Sequence, residues 1–260
     1  MSAPFPSHPL VLCLSGLDPS GGAGLQADIE SVAALGGHAL GVVTALTAQD
    51  TSNVARVVAT DPALLQQQLE LLLRDSPPQA IKLGLLGGPE QVPVILEAIR
   101  RCGVPVVCDP VLRAGGGTLL HGEATAQALR RELFGAVTVL TPNAAEACRL
   151  CPDRADLDAC GAGLLEAGCA HVLITGGDEP GASVVNTWYA PGQASQRYTW
   201  PRLPETFHGA GCTLAAAIAA LLARGLPVGA ALQLAQEWTQ GTLLQALRVG
   251  QGRRIPGRRA

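Results

Sequence analysis

The sequence predicts an α/β fold with a mainly parallel central sheet and helices on both faces. Short apolar runs alternate with longer helical patterns along the whole chain, which is typical of this class. The polar and glycine-rich segments mostly follow predicted strands, where ligands bind in open α/β sheets. No run reaches the roughly 18 apolar residues of a membrane-spanning helix.

The periodicity of apolar residues predicts each element in turn. The first strand, Pro9–Ser15, is apolar on both faces and is therefore expected to be buried. The next segment, Gly24–Leu35, places Leu25, Ile29 and Val32 on one helical stripe. Further strands are predicted at Ala39–Ala48, Val54–Ala59, Ala80–Leu86, Pro105–Cys108, Ala136–Leu140, His171–Thr175 and Ser183–Tyr189. Further helices are predicted at Pro62–Arg74, Pro89–Cys102, Glu123–Leu133, Ala144–Leu150, Leu157–Ala167, Cys212–Arg224 and Val228–Ala246.

Length and composition favour a single domain over residues 1–260. Residues 1–8 and 250–260 are expected to be flexible ends, and the basic segment 253–259 to be solvated. The net charge of −3 argues against nucleic acid as a partner. The N-terminus lacks the pattern of a signal peptide, which favours a cytoplasmic location. For the same reason the eight cysteines are expected to be free thiols. A homodimer is expected only because such dimers are common.

The segment His208-Gly-Ala-Gly-Cys-Thr213 combines a tight glycine turn with the start of an alanine-rich helix. Unpaired amides at a helix start attract anions. Cys212 at that position is expected to have a lowered pKa and an accessible thiolate. Phosphoryl transfer uses this combination of amide donors and a base. The alternative is that the segment only allows close helix packing, with Cys212 as a small apolar residue.

Other polar groups are expected at the same edge of the sheet. Asp109 ends a predicted strand, and Asn143 and Glu146 can share one face of a helix start. Carboxylates placed there can hold Mg²⁺, although Asn143 and Glu146 also fit a capping box. Gln49 follows a strand and has an amide suited to a heterocycle, or is an ordinary loop residue. The turn Asp18–Gly24 matches neither common glycine-rich nucleotide motif.

Together and in this order, six segments resemble the hydroxymethylpyrimidine/phosphomethylpyrimidine kinase family of thiamine biosynthesis, within the ribokinase superfamily. They are Ser15–Asp28, Thr44–Gln49, Ile81–Gly84, Asp109–Val111, Thr141–Glu146 and His208–Thr213. The resemblance covers residues from about 10 to 225, and its first and last segments are the most specific. It implies a single-domain ribokinase-like fold.

The resemblance also implies an activity and a set of site residues. ATP, with Mg²⁺, would phosphorylate 4-amino-5-hydroxymethyl-2-methylpyrimidine and then its monophosphate. Cys212 would be the base, and the backbone of Gly209, Ala210 and Gly211 would form the anion hole. The pyrimidine pocket would be lined by Ala23, Asp28, Gln49, Leu85 and Val111. The nucleotide would contact Asn143, Thr175 and Gly177, and the metal would be held by Asp109 and Glu146.

Three positions depart from the family pattern. Thr175 stands where the family commonly has a lysine, so another cation, such as Arg113, is expected to neutralise the ATP phosphates. Ala210 replaces a threonine of the glycine turn, and Leu85 replaces the usual methionine of the pyrimidine pocket.

Three other functions remain open at this point. A kinase acting on pyridoxal or pyridoxine is the nearest, because both ring systems carry a hydroxymethyl group. A non-catalytic pyrimidine sensor on the same fold is the second. A hydrolase with Cys212 as its nucleophile is the third, but it has no identifiable orienting partner beyond His208.

Overall fold

The computed structural model describes residues 8–112 and 123–259. The described strands are β1 (Leu10–Leu17), β2 (His38–Gln49), β3 (Val54–Ala59), β4 (Ala80–Leu83), β5 (Val106–Cys108), β6 (Val139–Leu140), β7 (His171–Ile174), β8 (Ser183–Tyr189) and β9 (Gln196–Pro201). The described helices are α1 (Gly24–Ala34), α2 (Pro62–Asp75), α3 (Val92–Cys102), α4 (Glu123–Ala128), α5 (Ala144–Leu150), α6 (Leu157–Glu166), α7 (Ala210–Ala223) and α8 (Val228–Leu244). Each predicted strand and helix has a counterpart.

The strands form one sheet in the order β3-β2-β1-β4-β5-β6-β7-β8-β9. The neighbouring pairs from β2 to β7 are parallel, while β3, β8 and β9 pair antiparallel at the two edges. The prediction of a mainly parallel α/β sheet is therefore confirmed. The sequence prediction missed β9, whose place depends on its pairing with β8.

Both faces of the sheet are covered by helices, as predicted. Along β1, Val11 and Cys13 belong to a buried cluster that includes residues of α1, α7 and α8. Leu12 and Leu14 point to the opposite cluster, which includes residues of α2, α3 and α6. This alternation explains why β1 is apolar at every position from Val11 to Leu14. None of the described helices has the length and apolar character needed to cross a membrane.

The predicted helix Glu123–Leu133 is α-helical only as far as Ala128. Residues Leu129–Leu133 form a π-helical turn, in which the amide of Phe134 donates to the carbonyl of Leu129. Leu129, Leu133 and Phe134 are all buried. The wider π-helical turn thus lets Leu129, Leu133 and Phe134 face the core together.

The C-terminal segment is packed against the domain, so the expectation of a flexible, solvated end at 250–260 is wrong for its described part. Leu247 and Ile255 exchange backbone hydrogen bonds of 2.7 and 2.9 Å. Arg258 is only 3% exposed. Its guanidinium donates to Thr213 Oγ1 at 2.8 Å and to the carbonyls of Gly21 and Gly22. These buried acceptors, and an ion pair with Glu30 at 3.1 Å, hold the segment in place. Of the predicted N-terminal flexible end, residues 1–7 lie outside the described residues.

Replacing Arg258 with alanine is expected to lower the free energy of unfolding by about 3 kcal/mol, because buried carbonyl and hydroxyl acceptors lose their donor. The neighbouring Arg259 is exposed. Arg259→Ala should therefore change the free energy by less than about 0.5 kcal/mol. Urea unfolding of both variants measures the difference. Equal stabilities would contradict the structural role of Arg258.

Candidate active site

The glycine-rich turn after β1 is organised by the carboxylate of Asp18. Its Oδ1 accepts the amide and the hydroxyl of Ser20, both at 2.8 Å, and its Oδ2 accepts the amide of Ala23 at 2.8 Å. Oδ2 also lies 2.7 Å from Nε2 of His208, which precedes α7. Burial alone would raise the pKa of Asp18, but the hydrogen bonds from His208 and Ser20 lower it. Asp18 therefore links the two glycine-rich turns of the sequence.

The two turns approach so closely that only glycine fits at their contact. Gly209 has a φ of +88°, and a Cβ added to it would lie 1.9 Å from the carbonyl oxygen of Gly22. A Cβ on Gly22 would lie 2.2 Å from the His208 ring. Gly211 differs, because its nearest neighbour would be Asp109 Oδ2 at 3.6 Å. The close packing proposed as an alternative for this segment therefore holds for Gly209.

Helix α7 begins at Ala210, and Gly209 is its N-cap residue. No hydrogen bond from a described side chain caps this helix start. The first-turn amides are therefore not satisfied by a side chain, which is the arrangement that favours anions. Ala210 and Gly211 line a cavity of about 820 Å³ at this point.

Cys212 lies in the first turn of α7 and is buried, with 9% of its surface exposed. Its thiol interacts electrostatically with the carboxylate of Asp109 and with the backbone amide of Gly24. The thiol thus lies beside an acidic strand end and the first glycine-rich turn, as the sequence-based hypothesis requires.

The expectation of a lowered thiol pKa is wrong. Burial raises the pKa of Cys212 to about 12, and the negative charges of Asp109 and Asp28 act in the same direction. Lys82 and the amide of Gly24 oppose this shift. The helix start does not compensate for the loss of water, because the thiolate would sit in a buried pocket between two carboxylates. The thiol is therefore neutral near pH 7 in the ligand-free protein.

A buried ion pair lies beneath the thiol. Lys82, the only lysine of the chain, is fully buried on β4, with its Nζ 2.8 Å from Asp28 Oδ1 and 2.9 Å from Ser15 Oγ. Burial lowers the pKa of Lys82, but Asp28, Cys212 and Asp109 together raise it above its usual value. Lys82 therefore remains charged and balances the acidic groups around Cys212.

Glu146 and Asp109 are both buried carboxylates near the cavity. Asn143 and Glu146 form the capping box predicted for α5, and Glu146 Oε1 also accepts the amide of Leu112 at 2.9 Å. Burial, followed by the charge of Asp109, raises the pKa of Glu146 to about 7. Burial also raises the pKa of Asp109, to about 6, although Lys82 lowers it. Two carboxylates with raised pKa values at one strand edge indicate a functional site.

Val111 follows Asp109 and has a φ of +37°. A β-branched residue rarely adopts this conformation, and among the described residues Val111 is the one non-glycine residue that does so. Strained backbone of this kind concentrates at ligand sites. The backbone amide of Val111 also lowers the pKa of the Asp109 carboxylate, so the strained residue acts on the acidic strand end.

The cavity brings together all three residues predicted to contact the nucleotide. Asn143, Thr175 and Gly177 line it with Glu146 and Gly211. Asn143 and Thr175 are joined by a parallel β-bridge, which continues the pairing of β6 and β7 toward the cavity. Arg113, considered as a phosphate-binding cation, lies outside the described residues.

The five predicted pyrimidine-binding residues are distributed around the ends of β1, β2, β4 and β5. Ala23 is the half-buried N-cap of α1, and Gln49 is the half-buried last residue of β2. Leu85 is buried beyond β4, and its Cδ2 would lie 2.8 Å from a Cβ on Gly16 of β1. The Asp28 carboxylate has no exposed surface and faces Lys82 and Ser15. Val111 is the strained residue after β5.

The sequence did not predict the contact between Asp18 and His208, or the position of Arg253 next to His208. Arg253 Nη2 lies 3.3 Å from His208 Nδ1, and Arg253 lines the cavity. Asp18, His208 and Arg253 are far apart in sequence, so no spacing could have joined them. The basic residues of segment 253–259 are the one sequence feature that points to this contact, but they also fit a solvated end.

Comparison with known proteins identifies the family. The family model described as phosphomethylpyrimidine kinase matches residues 18–256. The chain belongs to this family. A hydroxymethylpyrimidine/phosphomethylpyrimidine kinase from Synechococcus elongatus is 40% identical over 250 residues, covering 94% of this chain and 95% of the relative.

Two solved structures place this family member among related vitamin kinases. Pyridoxal kinase from Staphylococcus aureus in complex with pyridoxal aligns with a TM-score of 0.88 at 27% identity, covering 96% of this chain and 93% of that structure. Phosphomethylpyrimidine kinase from Clostridium difficile aligns with a TM-score of 0.78 at 28% identity, covering 90% of this chain and 99% of that structure. The ribokinase-like fold and the kinase assignment are thus confirmed.

Substituting Gly209 with alanine should cost about 3 kcal/mol or more of unfolding free energy and abolish kinase activity. The added Cβ would collide with the Gly22 carbonyl and would also require a positive φ. Gly225→Ala is the matched control, since Gly225 has a φ of +83° with no atom within 4 Å of the added Cβ. It should cost about 1 kcal/mol and leave activity intact. Urea unfolding and a kinase assay distinguish the variants, and equal effects would rule out the steric contact.

Proposed function

We propose that this chain transfers phosphate from ATP to the hydroxymethyl group of 4-amino-5-hydroxymethyl-2-methylpyrimidine, and then phosphorylates that monophosphate to the diphosphate. The observation that carries the proposal is the position of Cys212, buried in the first turn of α7 and within electrostatic reach of Asp109 and the Gly24 amide. Ala210, Gly211 and Glu146 line the cavity, and Asp109 Oδ2 would lie 3.6 Å from a Cβ added to Gly211, so amide donors and carboxylates lie close together. The 40% identity to a relative of that name supports the substrate class.

Cys212 is proposed to accept the proton of the acceptor hydroxyl in the first step. Because the thiol is neutral at rest, it must first release its own proton to solvent, which its 9% exposure allows, before the resulting thiolate can accept the hydroxyl proton. Lys82 and the Gly24 amide are the groups that lower the thiol pKa, so they would stabilise the thiolate as it forms. In a loose phosphoryl-transfer transition state, catalysis depends mainly on positioning and charge stabilisation. The first-turn amides of Gly209, Ala210 and Gly211 would bind the transferring group.

Asp109 and Glu146 fit a role in holding Mg²⁺. Burial raises the pKa values of both carboxylates; the charge of Asp28 also raises that of Asp109, and the charge of Asp109 raises that of Glu146, so a divalent cation would offset this repulsion. Within the described residues, no group of three or more His, Cys, Asp or Glu side chains could hold a metal by itself. This suits Mg²⁺, which commonly binds through one or two carboxylates together with substrate phosphates. When bound, the ion would neutralise phosphate charge.

The remaining predicted residues are proposed to orient the two substrates. Asn143, Thr175 and Gly177 line the cavity that would hold the nucleotide. Ala23, Asp28, Gln49, Leu85 and Val111 are proposed to surround the pyrimidine, with the Gln49 amide reading the edge of the ring. Two features support a cytoplasmic location: the reaction consumes ATP, and the eight cysteines are unpaired.

Pyridoxal is the second candidate substrate. The observation in its favour is the TM-score of 0.88 with a pyridoxal kinase. Both candidate substrates present a hydroxymethyl group on a nitrogen heterocycle, so the transfer machinery described above would serve either one. The formation of a diphosphate distinguishes them, because it is expected only with the pyrimidine.

Incubating the purified protein with Mg-ATP and the hydroxymethylpyrimidine should give first the monophosphate and then the diphosphate, separated by chromatography. Parallel reactions contain pyridoxal, or contain EDTA to remove Mg²⁺. Pyridoxal is expected to react more slowly, and EDTA to stop both steps. Faster turnover of pyridoxal, without any diphosphate from the pyrimidine, would reverse the assignment.

The variant Cys212→Ala should lose roughly 10²- to 10⁴-fold in the rate of the first step, which is the usual contribution of a general base. The second step should lose much less, because its phosphate acceptor is already anionic at neutral pH. Separate assays start from the pyrimidine and from its monophosphate.

Cys169→Ala is the matched control for this variant. Cys169 is also a buried thiol with a raised pKa, but it lies in the core on the other side of the sheet. Its replacement should leave the ratio of the two rates unchanged. An equal loss in both steps for Cys212→Ala would indicate a structural role for Cys212 instead of a base.

A further inference from the structure

Phosphate groups bound in the cavity require a cation among its lining residues. Thr175, where the family resemblance expects lysine, is neutral and lines the cavity. Arg149, in the last turn of α5, and Arg202 also line it, and the Arg202 guanidinium donates to backbone carbonyls, including those of Gly177 and Gly181 at 2.7 Å. Arg202 therefore holds its own loop together. Lys82 is fully buried in its ion pair with Asp28.

We propose that Arg253 binds the phosphate groups of the nucleotide and takes the place of the missing lysine. The proposal rests on the kinase function proposed above. Arg253 is half-buried and lines the cavity together with Ala210 and Gly211, whose amides belong to the start of α7. Positive charge and the amide donors thus face the same space.

The guanidinium of Arg253 is held on one side and has donor capacity left. Its Nη1 lies 3.4 Å from the carbonyl oxygen of Phe207, and its Nη2 lies 3.3 Å from His208 Nδ1. Its Nε is buried and has no hydrogen-bond partner among the described residues. A buried, unpaired N–H is costly unless a ligand satisfies it. A guanidinium has five N–H donors in a planar fork that matches phosphate oxygens.

The contact with His208 fixes the orientation of the guanidinium. Arginine can only donate, so Nδ1 of His208 must accept, and its ring proton must lie on Nε2. That nitrogen then donates to Asp18 Oδ2 at 2.7 Å. The chain Asp18–His208–Arg253 therefore positions the guanidinium directly beside the turn that contains Gly209.

The backbone of the C-terminal segment is equally fixed. The amide of Arg253 donates to the carbonyl of Thr51 at 3.0 Å, and the carbonyl of Arg254 accepts the amide of His208 at 2.8 Å. Burial lowers the pKa of Arg253, whereas Asp178 and Asp18 raise it. Asp178 also lines the cavity, opposite in charge to Arg253. A phosphate-binding group is thus held in position before the nucleotide arrives, which reduces the entropy lost on binding.

The test compares Arg253→Met with Arg254→Met by isothermal titration calorimetry. Arg254 is the adjacent arginine, with its side chain 43% exposed and ion-paired to Glu205. The probes are the non-hydrolysable analogue AMP-PCP with Mg²⁺, and adenosine, which has no phosphate. Arg253→Met should weaken AMP-PCP binding about 10- to 100-fold and leave adenosine binding unchanged, while Arg254→Met should change neither by more than about twofold.

A second-site variant separates a charge role from a structural one. Adding Thr175→Lys to Arg253→Met should restore most of the AMP-PCP affinity, because it returns a cation to the same cavity. Arg253→Lys keeps a positive charge and should lose less than about tenfold. It serves as the test variant if Arg253→Met does not fold.

The outcomes distinguish this proposal from the proposed function. Unchanged AMP-PCP affinity in Arg253→Met, or equal weakening of AMP-PCP and adenosine, overturns the role of Arg253. If the unaltered protein binds AMP-PCP as expected but phosphorylates no pyrimidine, the substrate assignment fails while the role of Arg253 stands. If the unaltered protein binds no nucleotide, both proposals fail.

Discussion

The close contact between the two glycine-rich turns is the constraint on which the rest of the site depends. The carbonyl of Gly22 lies so near Gly209 that no side chain fits between them. The contact fixes the start of α7 against the turn after β1, and it thereby places Cys212 beside the Gly24 amide. The buried guanidinium of Arg258 donates to the carbonyls of Gly21 and Gly22 in the same turn and so stabilises the contact.

The electrostatics of the site follow from this close packing. A helix start usually favours a thiolate, but here the packing removes water and brings two carboxylates near the sulfur. The positive charge of Lys82, which persists in a fully buried position, partly offsets the negative charge of these carboxylates. Asp109 and Glu146, with pKa values raised to about 6 and about 7, are therefore the groups whose protonation a nearby charge such as phosphate changes most readily near neutral pH.

Much of the architecture could be predicted because it depends on local periodicity. The apolar run from Val11 to Leu14 predicts a strand buried on both faces, and the structure confirms it. The capping box of Asn143 and Glu146 also depends on a spacing of three residues and could be predicted. The π-helical turn at Leu129–Leu133 could not, because it depends on which side chains the core accepts.

The sequence by itself determined the fold class and the polar groups at the strand ends, because these depend on short-range patterns, and it predicted Cys212 as the central residue of the site. Only the tertiary structure decided how those groups behave. The pKa of Cys212 is governed by burial and by Lys82 and Asp109, which approach from other strands. The order of the C-terminal segment depends on acceptors more than 200 residues away, at Gly21 and Gly22. Charge and desolvation act through space, so contacts of this kind leave no periodic trace in the chain.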